Sequence, residues 1–135
     1  MVTACNEEND FRFLYGLETP LGERIEKITK TVYGGQGVTY TDLAQKKLDM
    51  YQADPQAGEL GTCMVKTHLS LTHDPDLKGA PSGWELPVSD ILVYKGAGFL
   101  VPVAGAIKLM PGTCSDPAFR RIDVDVKTGK VKGLF

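Results

Sequence analysis

A change of apolar period part-way along the chain constrains the fold more than any other feature. From Leu21 the apolar residues fall at Leu21, Ile25, Ile28 and Val32, on one face of a helix, with Glu23, Arg24, Glu26, Lys27 and Lys30 turned outward. Pro20 pre-sets the first turn, and Gly34-Gly35 stops the helix after Tyr33. A second helix is predicted from about Thr41 to Tyr51. Thr39 and Asp42 are spaced like a capping box, Ala44, Leu48 and Tyr51 make the stripe, and Pro55 and Gly58 close it. Beyond this point helical spacing ends. Thr62 to Val65 is a short apolar run, and the polar stretch Lys66 to Gly83, which holds both histidines, reads as a loop with room for a turn of helix.

From Trp84 the text is that of strands. Val88 to Tyr94, Phe99 to Val103 and Ile107 to Met110 are rich in Val, Ile, Leu and aromatics and are punctuated by Gly and Pro. The tail alternates Ile122, Val124 and Val126 against Asp123, Asp125 and Lys127, turns at Thr128-Gly129 and returns through Val131, a hairpin pattern. The expected class is α/β in the sense of mixed α and β: two N-terminal helices, then a strand-rich C-terminal half ending in a hairpin. With 135 residues, one domain over 1–135 is the expectation, Met1 to Asp10 being a polar, frayed segment. Phe11, Phe13, Leu14, Tyr15 and Leu17 form an apolar cluster that needs a surface to pack on.

Charge and composition remove several function classes. A net charge of -2, with both signs interspersed, supplies no basic face for nucleic acid. No apolar run approaches the roughly 18 residues of a membrane span, and the polar, acidic N-terminus is unlike a signal peptide. A cytoplasmic location follows as the expectation, organellar if a targeting segment lies upstream. Cys5, Cys63 and Cys114 are odd in number and far apart, which argues for reduced thiols, with small buried thiols as the default.

Three features invite a chemical reading. Glu18-Thr19-Pro20-Leu21-Gly22-Glu23 has the flavour of a phosphate loop ahead of a helix, yet Arg24-Ile25 stand where its lysine and hydroxyl belong, so an ordinary helix start is favoured. Gly34-Gly35-Gln36-Gly37 ends a helix where such a loop would begin one, and reads as a turn. Cys63, His68 and His73 supply three soft ligands at even spacing, without the convergence or fourth ligand of a metal site. Each histidine is expected to be a hydrogen-bonded structural group rather than a general base. Gly96-Ala97-Gly98-Phe99, between two strands, marks a bulge or a place of close approach by a substrate, another part of the enzyme or a neighbouring subunit.

Several strings, taken in order, resemble one family: Phe11-Arg12-Phe13-Leu14-Tyr15, Glu23-Arg24-Ile25-Glu26-Lys27-Ile28 leading to Val32-Tyr33-Gly34, Cys63-Met64-Val65-Lys66-Thr67-His68-Leu69-Ser70-Leu71, Gly96-Ala97-Gly98-Phe99, Met110-Pro111-Gly112 and the closing Gly133-Leu134-Phe135. Together they are similar to the C-terminal part of formate-tetrahydrofolate ligase. The resemblance implies an enzyme of one-carbon metabolism in which ATP phosphorylates formate and N10 of tetrahydrofolate attacks the formyl phosphate, giving 10-formyltetrahydrofolate, ADP and phosphate. It implies ATP, magnesium and tetrahydrofolate for the whole enzyme, none held tightly by this chain alone, and homo-oligomeric assembly. It also places the phosphate loop in an N-terminal part of the ligase not represented here, so that the 135 residues alone are expected to be inactive.

No catalytic residue or metal ligand is assigned within the chain. The substrate-proximal candidates are the turn Lys66, Thr67 and His68, and the group Gly96, Gly98 and Phe99, because loops at strand ends are where scaffolds present ligands. The competing reading is that Lys66 and His68 only tie the loop down. The chain departs from the family pattern at Val65, where alanine is usual; within a buried strand the two added methyl groups are expected to cost about 1 to 3 kcal/mol if the site does not relax. A stand-alone binding or assembly module derived from the ligase is the alternative to a ligase fragment.

Overall fold

The computed structural model describes residues 2–105, 107 and 116–133. The chain begins with one helical turn, α1 (Val2–Cys5), where a frayed segment was expected. The first long helix, α2 (Leu21–Ile28), runs on into a π-helical turn, Thr29–Tyr33, and is closed by Gly34 in the left-handed conformation at φ 76°. Leu21, Ile25 and Ile28 are buried as the spacing requires. Two positions depart from the expected faces. Val32 is exposed, because the wider π turn rotates it off the stripe and Thr29 takes the inward place. Arg24, expected to face water, is only 2% exposed.

Strand β1 (Gly37–Tyr40) follows, a strand that helical and turn spacing did not announce. Helix α3 (Asp42–Ala53) buries Ala44 and Leu48, and Tyr51 packs half-buried against the same core. Its cap is Thr41, whose hydroxyl accepts from the Ala44 N–H at 3.2 Å; Thr39, expected in that role, lies in β1. Pro55 does not simply close α3 but opens a further turn, α4 (Pro55–Gly58), capped by the Asp54 carboxylate.

The sheet combines β1 with β2 (Gly61–Thr62), β3 (Glu85–Tyr94) and β4 (Phe99–Ala104) in the order β1-β3-β4-β2, the central pair antiparallel and both edges parallel to their neighbours. Between β2 and β3 the stretch from Lys66 to Gly83 consists of turns and bends without a helix. A bulge at Ser89 decides what β3 buries. Leu86 and Val88 face the core; strict alternation would next point Asp90 inward. The extra residue shifts the parity so that Ile91 goes in instead, while Asp90 pairs with Lys47 on α3 at 2.5 Å. Thr41 donates to the Ser89 carbonyl at 2.8 Å, and the Ser89 hydroxyl donates to that of Val103 at 3.1 Å, fixing the bulge.

One core cluster joins α2, α3 and α4 to the sheet through Ile25, Leu48, Ala57, Leu86, Val88 and Leu100. At the β2 edge the Tyr15 hydroxyl bonds both the N–H and the carbonyl of Thr62 at 3.3 Å. Val65 extends this edge through an isolated bridge to Val103 and is half-buried, so it is not inside the buried strand expected for it. The tail forms the expected hairpin, β5 (Asp123–Val124) with β6 (Val131–Lys132). The strand expected over Ile107 to Met110 lies, apart from Ile107, outside the described residues. Among the described residues no helix is long and apolar enough to cross a membrane.

Candidate functional site

The two groups of substrate-proximal candidates stand at opposite ends of β4. Strands β2 and β4 run parallel, with Gly61 opposite Phe99 and Val65 opposite Val103. At about 3.3 Å per residue, the turn after Val65 lies about 13 Å along the sheet from the Gly96–Phe99 group. The structure therefore does not gather Lys66, Thr67, His68, Gly96, Gly98 and Phe99 into one site.

The Lys66 turn is organised around its ammonium. Lys66 Nζ donates to the Thr67 carbonyl at 2.8 Å and to that of Ser70, and sits 5.0 Å from the centroid of the Tyr33 ring. Burial lowers the Lys66 pKa below that of an ordinary lysine. Burial also raises the Tyr33 phenol, with the neighbouring Cys63 adding to the effect. The lysine thus ties the turn to the π-helical end of α2. Thr67 Oγ1 accepts from the Leu69 N–H at 3.2 Å, tightening the same turn.

His68 is exposed and makes no hydrogen bond to the described residues, against the expectation of a hydrogen-bonded structural histidine; the turn is held by Lys66 and Thr67 without it. His73 departs from that expectation as well: its Nδ1 is buried with no partner among the described residues. Ser70, Thr72 and Asp74 meanwhile bond to one another through hydroxyl and backbone groups, giving the loop an internal frame.

Cys63, His68 and His73 do not converge, and no cluster of three such ligands occurs among the described residues. Cys5 and Cys63 are exposed free thiols, where buried ones were the default. Met64 packs against the core, so alternation turns Cys63 to the opposite face. Cys114 lies outside the described residues.

Gly96 and Gly98 belong to the tight turn joining β3 to β4. Gly98 has φ 77°, whereas Gly96 has ordinary backbone, and a Cβ on either would meet nothing within 4 Å. Close approach falls on other glycines: a Cβ on Gly61 would lie 3.1 Å from the Phe99 ring, and one on Gly35 2.8 Å from the Thr29 methyl.

Spacing gave no warning of the densest polar arrangement, which is centred on Arg24. Its guanidinium donates to the carbonyls of Thr19 at 2.5 Å, Leu60 at 2.7 Å, Gly58 at 2.5 Å and Leu17. It also lies 5.8 Å from the centroid of the Tyr15 ring. Burial lowers its pKa, with Tyr15 and Glu18 opposing the shift. A cleft of about 650 Å³ opens beside it, lined among others by Thr19, Pro20, Tyr51 and Pro55. This is the helix start that superficially resembled a phosphate loop. Its carbonyls face Arg24, and its Gly22 N–H is taken by Gln52 Oε1 at 3.0 Å, so the residues present do not fit a nucleotide phosphate.

The family model for formate-tetrahydrofolate ligase matches residues 1–135. A formate-tetrahydrofolate ligase of Desulfotalea psychrophila is 67% identical over the whole chain, which covers 24% of that protein. One from Syntrophobacter fumaroxidans is 57% identical over the whole chain, covering 23% of it. One from Dehalococcoides mccartyi is 62% identical over 98% of the chain, covering 22% of it. The chain spans about a quarter of the length of these curated relatives, and by this continuous match it belongs to the formate-tetrahydrofolate ligase family.

Proposed function

We propose that this chain is the C-terminal portion, one domain, of a formate-tetrahydrofolate ligase that makes 10-formyltetrahydrofolate from formate, tetrahydrofolate and ATP by way of formyl phosphate. The observation that carries the reading is the family match along all 135 residues, at high identity to proteins about four times as long. ATP and magnesium belong to the remainder of the ligase. Phosphoryl transfer depends on a positioned cradle and electrostatic stabilisation, and at the helix start after Pro20 the Gly22 N–H is taken by Gln52 and the Thr19 carbonyl by Arg24.

Within the whole enzyme, the portion supplies structure and one wall. The exposed His68, on the turn held by Lys66 and Thr67, is the group set to meet a ligand bound by the rest of the protein. The Gly96–Phe99 turn leaves the space above both glycines open to a neighbouring segment. The assembled enzyme is a cytoplasmic homo-oligomer.

The test replaces the matching region of the Desulfotalea psychrophila relative with this chain. The chimera is expected to form 10-formyltetrahydrofolate at a rate comparable with its parent, and the 135-residue chain alone to form none. A chimera that unfolds cooperatively but does not turn over would favour a derived binding or assembly module.

A further inference from the structure

We propose that Phe11 to Leu17 is the surface on which this chain docks against the rest of the ligase polypeptide, the partner segment being apolar and carrying a carboxylate. The inference rests on the reading just given and names its contact. Phe11 and Phe13 are 73% and 84% exposed, and their rings meet edge to face at 5.1 Å. Paired aromatics left in water are what association gains most from covering.

Beside them lies a groove of about 730 Å³ lined by Phe13, Leu14, Tyr15, Leu17 and Lys27. One residue of its lining is already held, because the Tyr15 hydroxyl bonds the Thr62 backbone and its ring lies against Arg24, so Tyr15 needs no further ordering on binding. Lys27 is exposed at this groove and makes no ion pair with the described residues.

Length and charge together select the occupant. More than three quarters of the polypeptide of the Syntrophobacter fumaroxidans relative lies outside the matched region, so an extensive surface of the same protein is available to cover the groove. A second copy fits poorly. A two-fold contact would face this lining with itself, and the lining contains no carboxylate for Lys27; of the acidic side chains close by, Asp10 is held by Arg12 at 2.7 Å, and Glu18, whose carboxylate lies beside Gly16, lines the cleft at Arg24.

Hydrogen exchange of the chain alone and of the chimera tests the assignment. In the chimera, amides from Phe11 to Leu17 should exchange at least about tenfold more slowly than in the chain alone, and Phe13→Ser or Lys27→Glu should remove much of that protection. A chimera that makes 10-formyltetrahydrofolate while these amides exchange as in the isolated chain overturns the docking assignment and leaves the functional reading standing. Protection without turnover keeps the docking surface and counts against the functional reading. Sedimentation adds a third arm: an isolated chain that dimerises, and is made monomeric by Phe13→Ser, assigns the surface to a second copy and overturns the proposal.

Discussion

Arg24 shows how a single residue can be placed correctly by geometry and wrongly by chemistry. Three residues beyond Leu21 and one before Ile25, it falls inside the apolar stripe, yet its charge argues for the outer face. The structure resolves the conflict by surrounding the guanidinium with backbone carbonyls from Leu17, Thr19, Gly58 and Leu60, tying the start of α2 to the turn after α4. Arg24→Met fills the space but strands those carbonyls, and is expected to destabilise the chain by at least about 3 kcal/mol, read as a lowered urea midpoint. Arg24→Lys should recover only part of this, since an ammonium lacks the planar fork.

Tyr40 makes a separate prediction in alkali. Burial, with Glu26 adding to it, pushes its phenol up to about 12 from the usual 10.0. Between these values the unfolded chain has released this proton and the folded chain retains it, so this contribution to stability is present below pH 10 and is lost as pH rises towards 12. Tyr40→Phe should flatten that fall in urea titrations across the same window.

At the scale of elements, period and punctuation were enough for α2, α3, β3, β4 and the terminal hairpin. They missed β1 because four residues give alternation too little length, although Val38-Thr39-Tyr40 has the β-branched and aromatic character of a strand. They also missed the π turn, which apolar spacing does not mark, and the Ser89 bulge, which depends on Thr41 and Lys47, remote in sequence. The glycines between β3 and β4 were legible as punctuation, but which of them the turn requires was not. Gly98→Ala should cost about 1 to 2 kcal/mol through its left-handed backbone, whereas Gly96→Ala should be close to neutral. Thermal unfolding of the two variants separates them.

For the whole molecule, the sequence revealed the fold class because local spacing and apolar pattern agree, and the resemblance to a ligase because separate strings keep their order. The candidate site was less legible. Lys66 and His68 are neighbours in sequence, but only folded coordinates show one ammonium turned to carbonyls and a ring while the imidazole faces water. Nor does spacing reveal that the Lys66 and Gly96 groups occupy opposite ends of one strand.

The contact between Tyr15 and Thr62 bears on how the chain behaves in concentrated solution. An edge strand with an open N–H and carbonyl is a template for strand addition by another chain, the first step towards aggregates. On β2 a phenol hydroxyl already occupies that pair of groups, and Arg24 lies against the ring that carries it. One side chain from the segment before α2 therefore keeps this margin of the sheet from recruiting a stranger.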